Sequence, residues 1–332
     1  MSELRKDPVT GRWVILSAER MARPSDFRRI SEPVLEAKPC PFDPGNESMT
    51  PAEILAFRSS SGAPNTSGWS VRVVPNRYPA LTIEQLLRRR GDGVYDRMTG
   101  FGAHEVIIET PEHELEFADF GQAVVREVLR VYVLRVTDLA RDERFRYALI
   151  FKNHGAAAGA SLRHSHSQLI ATPVVPKLVN EELAGCRQYW DFHERCIFCD
   201  MVRQELEDRR RLVAVNEHFL VGEPFAPRFP FETWVVARRH FAALWDMTDA
   251  EHDSLAATLL DVLGRINRVL ERPAYNLVLH VAPLRTANLE YYHFHIEIMP
   301  KKTTVAGFEW GTGFFINPLS PEQAAEYLGE AA

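Results

Sequence analysis

The stretch GASLRHSHSQLIATP, Gly159–Pro173, places three polar side chains at alternate positions beside an apolar run. His164, His166 and Gln168 share one face if this segment is a β-strand, because residues i, i+2 and i+4 of a strand point the same way. Paired histidines also occur in protein cores, where they satisfy buried hydrogen bonds. Whether this pair does chemistry therefore depends on what the rest of the chain repeats.

The same pattern closes two ordered series of five elements. The first series runs from C-P-F-D at Cys40–Asp43 through a strand ending in His113, a long helix and another strand to H-S-H-S-Q. The second runs from C-I-F-C at Cys196–Cys199 through a strand ending in His240, a long helix and another strand to H-F-H-I-E. Five matches in the same order indicate a tandem duplication.

The repeat predicts an α+β protein with one unit in residues 1–178 and a second in residues 179–332. Each unit is expected to be an antiparallel sheet flanked by helices, because strands rich in β-branched residues alternate with amphipathic segments. Residues 117–142 and 179–206 have helical spacing, the latter interrupted by a cysteine pair. Thr248, followed three residues later by glutamate, forms a capping box that opens another helix.

Composition restricts the class of protein. Hydrophobic residues make up 45% and charged residues 25% of the 332 positions, which is typical of a globular protein. The chain has neither an apolar run near the ~18 residues that span a bilayer nor a signal peptide, so we predict a cytoplasmic protein without a membrane partner. A net charge of −6 argues against nucleic acid as a partner. Four cysteines are too few for a disulfide scaffold.

The second half has the ligand set of a closed zinc site. Cys196, Cys199, His240 and His293 combine a C-x-x-C motif with two histidines. The alternative is a pair of buried thiols or a redox pair, although redox C-x-x-C motifs usually precede a helix in a thioredoxin-like unit. Such a zinc site would be structural, tying a loop to a strand.

The first half offers a weaker version of the same site. Cys40, His113 and His164 stand at equivalent places, but Asp43 replaces the second cysteine. A carboxylate can bind zinc through oxygen, so a site is possible. We expect zinc to occupy the second-half site more readily than the first.

His166 is the candidate nucleophile. If His164 is committed to a metal, the neighbouring imidazole keeps its lone pair, and a neutral imidazole is abundant at neutral pH. Gln168 can donate an amide N–H to a phosphoryl oxygen without adding charge. Upstream, NHGAAAGAS contains small residues, which let backbone N–H groups at Gly159 and Ala160 approach a phosphate closely.

Two further side chains of that loop, Asn153 and Ser161, are candidate donors to the same phosphate. The second half is not equivalent: His295 stands where His166 stands, but Glu297 replaces Gln168 and would repel a diphosphate. We therefore expect catalysis in the first half and a structural or substrate-closing role for the second.

The pattern H-x-H-x-Q after NHGAAAGAS, in duplicated halves, resembles the galactose-1-phosphate uridylyltransferase family of the histidine-triad superfamily, over nearly the whole chain. HSHSQ, C-I-F-C and AGFEWGTGFFINP look closer to the branch containing ADP-glucose phosphorylase than to members with HPHGQ. The resemblance implies two histidine-triad-like units, a covalent nucleotidyl intermediate on His166, and a role for His164 as a metal ligand with Cys40, Asp43 and His113. Some members bind metal through residues matching Glu182, His280, His293 and His295 instead.

The resemblance also implies substrate-binding positions. Arg20 and Arg23 match basic residues near the nucleotide phosphates and the sugar phosphate, and Asn76 in NRYPAL matches a segment lining the base and ribose pocket. Phe308, within Gly307–Gly313, belongs to a stretch that reaches the sugar, often across a homodimer.

The resemblance, together with these residues, implies a nucleotidyltransferase of the UDP-glucose–hexose-1-phosphate uridylyltransferase type, acting in galactose and carbohydrate metabolism on a nucleotide sugar and a sugar 1-phosphate. The alternative is an ADP-glucose phosphorylase, which transfers adenylyl to phosphate. A nucleotide hydrolase ranks lower, because glutamine is a poor base for activating water. A non-enzymatic, zinc-stabilised nucleotide-binding module also remains open.

Overall fold

The computed structural model describes residues 2–17, 39–58, 62–286 and 289–332. The strands are β1 (Ser2–Lys6), β2 (Trp13–Ser17), β3 (Leu55–Arg58), β4 (Trp69–Pro75), β5 (Arg89–Asp92), β6 (Tyr95–Met98), β7 (Ala103–Ile108), β8 (Tyr147–His154), β9 (His166–Thr172), β10 (Leu212–Val215), β11 (Phe219–Gly222), β12 (Thr233–Ala237), β13 (Tyr275–His280), β14 (His295–Pro300) and β15 (Phe315–Asn317). The helices are α1 (Gln122–Leu139), α2 (Lys177–His193), α3 (Ile197–Asp208), α4 (Asp249–Leu270), α5 (Gly307–Thr312) and α6 (Pro321–Glu330).

A ten-stranded antiparallel sheet carries the repeat. Its order is β10-β11-β12-β14-β13-β8-β9-β7-β4-β3, so the first half supplies five strands and the second half supplies the matching five in reversed order. The halves meet where β8 pairs with β13, with Asn153 opposite Asn276 and His154 opposite Tyr275. The two predicted sheets are therefore joined edge to edge into one.

Helices α1 and α4 cover one face of this sheet and pack on each other. In α1, Val125, Val128, Leu129, Tyr132 and Val136 are buried, which is the spacing of a single apolar stripe. The predicted capping box at the start of α4 is confirmed, because the Thr248 side chain accepts from the backbone N–H of Glu251 and the Glu251 side chain accepts in return. The opposite face of the sheet carries the histidine motifs.

Two smaller sheets complete the fold. Strands β1, β2 and β15 form a three-stranded sheet in which β2 and β15 are parallel, and β5 and β6 form an exposed hairpin. None of the helices in the described ranges is long and apolar enough to cross a membrane.

The strands are shorter than the sequence predicts, so three histidines lie in loops rather than in strands. The strand predicted to end in His113 stops at Ile108, and the one predicted to end in His240 stops at Ala237. Both histidines lie instead in the loops that follow. His164 also precedes its strand, which begins at His166. The prediction that His164 belongs to the same strand as Gln168 is therefore wrong, because the chain turns at His164 toward the Cys40 loop.

Candidate active site and metal sites

His166 begins β9 and points to the face opposite α1. The side chain is 7% exposed, and its Nδ1 lies 2.8 Å from the carbonyl oxygen of His164. A carbonyl only accepts, so Nδ1 carries the proton and Nε2 keeps the lone pair. Burial lowers the pKa of His166 to about 4, which leaves the ring neutral at pH 7. The side chain thus has the protonation state of a nucleophile.

A buried ion pair supports the strand behind His166. Lys152 on β8 donates to Glu109 Oε2 at 2.5 Å, to Ser165 Oγ at 2.9 Å and to the carbonyl of His166 at 3.1 Å. Burial opposes the charge on Glu109, but the lysine and the hydroxyls of Ser165 and Ser167 hold its pKa below the usual value. The network fixes the backbone on both sides of His166.

Gln168 lies two residues beyond His166 on the same face, and its Oε1 is 2.8 Å from His104 Nε2. His104 comes from the neighbouring strand β7, where it stands opposite Ile170. The His104 ring also contacts the nucleotide-pocket candidate Asn76, whose Nδ2 is 3.1 Å from the same Nε2. The structure therefore brings Asn76 close to Gln168 through a histidine that sequence reasoning missed.

The small-residue loop follows β8 and contains a short 3-10 helix, Ala156–Ala158. Gly155 has φ 78°, and a Cβ there would lie 2.8 Å from the Cβ of Ala274, so this position requires glycine. Asn276 donates to Asn153 Oδ1 at 2.8 Å and to the Ala158 carbonyl at 2.9 Å. Because the Asn153 oxygen accepts this hydrogen bond from Asn276, the amide nitrogen of Asn153 is the end of the side chain that can donate to a ligand.

The other predicted residues of this loop, Gly159, Ala160 and Ser161, come directly after the 3-10 helix. Gly159 adopts a left-handed conformation with φ 89°, which glycine tolerates without strain. Ala160 and the exposed Ser161 complete the loop that leads to His164.

The second-half cysteines and histidines converge as predicted. Cys199 Sγ lies 3.5 Å from His240 Nδ1 and 3.6 Å from His293 Nδ1, and Cys196 Sγ lies 3.7 Å from His293 Nδ1. His293 Nε2 donates to the carbonyl of Ala237 at 2.8 Å, which leaves Nδ1 as a free ligand atom. Hydrogen bonds from Cys196 and then from His240 lower the pKa of the Cys199 thiol to about 3. Two thiols and two imidazoles form a donor set that suits zinc.

The first-half group also converges, with tighter internal contacts. Asp43 Oδ1 lies 2.6 Å from His113 Nδ1 and 3.1 Å from His164 Nδ1, while Cys40 Sγ is 3.9 Å from His164 Nδ1. His164 Nε2 donates to the carbonyl of Thr110 at 2.7 Å, so its Nδ1 also faces the group. The four ligand atoms lie within 4.8 Å of one another.

The counterpart of His166 has a different environment. His295 Nδ1 lies 3.0 Å from the His293 carbonyl, but its Nε2 is 3.4 Å from Glu182 Oε1. Glu182 also contacts His280 Nδ1 at 3.0 Å, and Glu297 pairs with Arg228. A carboxylate thus contacts Nε2 of His295, whereas none of the described residues forms a hydrogen bond with Nε2 of His166. His293 faces the cysteines, so Glu182, His280 and His295 form a third group without it.

Comparison with known proteins identifies the family. The model "Galactose-1-phosphate uridyl transferase, N-terminal domain" matches residues 1–176, and the model of the C-terminal domain matches residues 182–331. The chain belongs to this family. Membership confirms the predicted α+β class and the predicted class of enzyme, a nucleotidyltransferase.

Individual members of the galactose-1-phosphate uridyl transferase family show the extent of the likeness. The chain is 37% identical to ADP-glucose phosphorylase of Arabidopsis thaliana, over 99% of this chain and 93% of the relative. It is 28% identical to galactose-1-phosphate uridylyltransferase of Thermotoga maritima, over 99% of this chain and 98% of that protein. The crystal structure of the Arabidopsis phosphorylase with bound ADP-glucose has a TM-score of 0.83 at 34% identity, with both chains fully covered.

The family resemblance also pointed to residues away from His166. Arg20 and Arg23 lie outside the described residues. Phe308 lies on α5 and is 45% exposed. Lys152 and Glu109 were missed because a charged residue within a strand usually indicates a solvent-facing side chain. The alternation of AHEVII, Ala103–Ile108, would have placed His104 on one face with two apolar residues.

Proposed function

We propose that this chain transfers a nucleotidyl group from a nucleoside diphosphate sugar to an acceptor phosphate through a covalent bond to His166. The observation that carries the proposal is the neutral, buried imidazole whose Nδ1–H is held by the His164 carbonyl, which leaves the lone pair on Nε2. Nε2 would form a bond to the α-phosphorus while the bond to the sugar-phosphate oxygen breaks, and sugar 1-phosphate leaves. An oxygen of the acceptor phosphate then attacks phosphorus and the P–N bond breaks.

The surrounding donors fit a charge that spreads over phosphoryl oxygens. Gln168, Asn153 and Ser161 offer hydrogen bonds without adding net charge, and preorganised donors of this kind stabilise developing negative charge. Arg20, Arg23 and Asn76 are proposed to hold the phosphates and the nucleoside by family resemblance. Transfer is favoured over hydrolysis because Gln168 cannot serve as a base for water.

The nucleotide is proposed from the relatives. The family resemblance of the motifs favours uridylyl transfer between sugar phosphates first and adenylyl transfer to phosphate second. The higher identity to an ADP-glucose phosphorylase, 37% against 28%, favours the adenylyl assignment. We therefore propose ADP-glucose and inorganic phosphate as the first pair to test, with UDP-glucose and galactose 1-phosphate as the second.

One labelling experiment tests the step and the nucleotide together. The protein is mixed with ADP-glucose or UDP-glucose labelled at the α-phosphorus, and acid-labile, alkali-stable label on the protein is counted. We expect label from one donor and none in His166→Asn. The matched control is His154→Asn, a histidine near the same loop that stacks on Tyr275, which should still take up label. Label on His166→Asn, or turnover by it near the wild-type rate, would refute the nucleophile.

Zinc is proposed for the second-half group. With metal–sulfur distances of about 2.3 Å and metal–nitrogen distances of about 2.0–2.1 Å, a tetrahedron has S···N edges of about 3.6 Å. Three of the four S···N distances among Cys196, Cys199, His240 and His293 are 3.5–3.7 Å and fit these edges. Bound zinc would tie α3 to the loops around β12 and β14.

The first-half group fits zinc less well. The corresponding O···N edge is about 3.3 Å, whereas Asp43 and His113 are 2.6 Å apart, the distance of a direct hydrogen bond. We therefore propose that this group holds zinc more weakly.

The homodimer, in which Phe308 would reach the sugar across the subunit boundary, stays a prediction. The cytoplasmic location also stays a prediction.

A further inference from the structure

We infer that His104 is a positioning residue that fixes which end of the Gln168 amide faces the transferred phosphoryl group. The inference rests on the proposed nucleotidyl transfer at His166. It starts from one contact, the 2.8 Å between His104 Nε2 and Gln168 Oε1. An amide has a donor end and an acceptor end, and only the donor end helps an anionic phosphoryl oxygen.

The backbone of Ala80 decides the tautomer of His104. The Ala80 N–H, which can only donate, lies 3.2 Å from His104 Nδ1, so Nδ1 must keep its lone pair. The proton of the neutral ring is then on Nε2, which donates to Gln168 Oε1. With its oxygen engaged on the His104 side, Gln168 turns its N–H groups away from that ring.

Asn76 competes for the same nitrogen, because its Nδ2 lies 3.1 Å from His104 Nε2. The Asn76 oxygen accepts from the Tyr78 backbone at 2.9 Å, so the amide nitrogen is the atom turned toward the ring. A bond from Asn76 to His104 requires an unprotonated Nε2, which would place Nδ1–H against the Ala80 N–H. The Ala80 contact therefore favours the bond to Gln168.

The register of the sheet makes the arrangement rigid. His104 pairs with Ile170 and Val106 pairs with Gln168, so the histidine reaches diagonally across two antiparallel strands on the face that also carries His166. Both Gln168 and His104 are partly buried.

The test is a double-mutant cycle on the single-turnover rate of His166 labelling. His104→Phe keeps the ring and removes the donor, and we expect the rate to fall on the order of 10-fold, a fraction of the 10²–10³ that loss of a whole preorganised donor causes. In a Gln168→Ala background the same substitution should change the rate less than about twofold, because the residue it acts through is gone. His104→Gln, which can still donate, should restore part of the rate.

Several outcomes would overturn the inference. A wild-type rate in His104→Phe would do so, and so would an equal fall with and without Gln168, which indicates a structural role. KM for the nucleotide sugar should change much less than kcat, since the bond matters most in the transition state. His218→Phe, at the β10–β11 turn, is the matched control and should label normally. If the wild-type chain takes up no label, the proposed function fails and the inference with it; if it labels and His104→Phe labels equally fast, only the inference fails.

Discussion

Replacing Lys152 with methionine should destabilise the whole fold, because its charge is the counterion of a fully buried carboxylate. Lys152 is 2% exposed and Glu109 is 0% exposed, and the two are 2.5 Å apart. Removing one partner of a buried ion pair leaves the other charge uncompensated and typically costs about 3–5 kcal/mol. Methionine fills similar space, so this loss comes from electrostatics and hydrogen bonding rather than from a cavity.

The loss translates into a measurable change in melting temperature. With an unfolding entropy of about 2.1 cal/mol/K per residue, a chain of 332 residues has roughly 0.7 kcal/mol/K in total. A destabilisation of 4 kcal/mol therefore lowers the melting temperature by about 6 °C. Differential scanning calorimetry of Lys152→Met against wild type measures this shift.

Two further variants separate the ion pair from general effects. Lys152→Met/Glu109→Gln removes both charges while the amide still bonds to Ser165 and Ser167, so it should recover more than half of the loss. Lys177→Met makes the same change at an exposed ion pair, where the lysine is 88% exposed, and should shift the melting temperature by less than about 1 °C. A shift below 1.5 °C for Lys152→Met, or a double variant less stable than the single, would refute the reasoning.

Three other outcomes follow from the structure. A hydrogen bond from Arg239 lowers the pKa of Glu251 to about 2 from 4.5, so this carboxylate stabilises the fold above pH 4.5 and loses that effect as the pH falls toward 2. Because Arg239 is half-exposed, Glu251→Gln should cost about 1 kcal/mol at pH 7 in urea unfolding, and a difference that persists at pH 2.5 would contradict this cause. Gly155→Ala should cost about 1–3 kcal/mol of unfolding free energy through its contact with Ala274. Gly329→Ala, within α6 and with open space around its Cβ position, should not, and equal losses would be inconsistent with that contact. A strong chelator should lower the melting temperature of the wild type more than that of Cys199→Ser, in which only the weaker first-half group can still bind zinc, and a metal analysis that finds no zinc in the wild type would end the zinc proposal.

Much of this arrangement could be predicted from local patterns. The order of the repeated motifs, the apolar stripe of α1 and the capping box at Thr248 are encoded within a few residues, and the structure has all three. The two Cys/His groups could be predicted because the types of ligand residue and their order are visible in the sequence, even though the loops that carry these residues were not predicted. Their convergence in space follows from the duplicated topology.

The remaining features depend on pairing between distant segments. Nothing near Lys152 in the sequence indicates that its charge will be neutralised by Glu109, because Glu109 precedes α1 in the chain and Lys152 follows it. The contact between His104 and Gln168 depends on the register of β7 against β9, which is fixed by the whole sheet. The strand ends at Ile108 and Ala237, by contrast, were within reach of the sequence, because Pro111 before His113 and the pair Arg238 and Arg239 before His240 already mark the ends of the apolar runs.

The seam between β8 and β13 has a consequence for how such a duplicated protein can diverge. Asn276 and Ala274, both from the second copy, define the shape of the loop that carries Asn153 and Gly155 in the first. If His295 of the second copy is unreactive, as we predict, that copy is still needed, because its border strand shapes the loop of the first copy that we propose binds phosphate. Cutting the chain after residue 178 would uncover the β8 edge as a site for aggregation. One half can lose its catalytic activity, but its strands are still required by the other half.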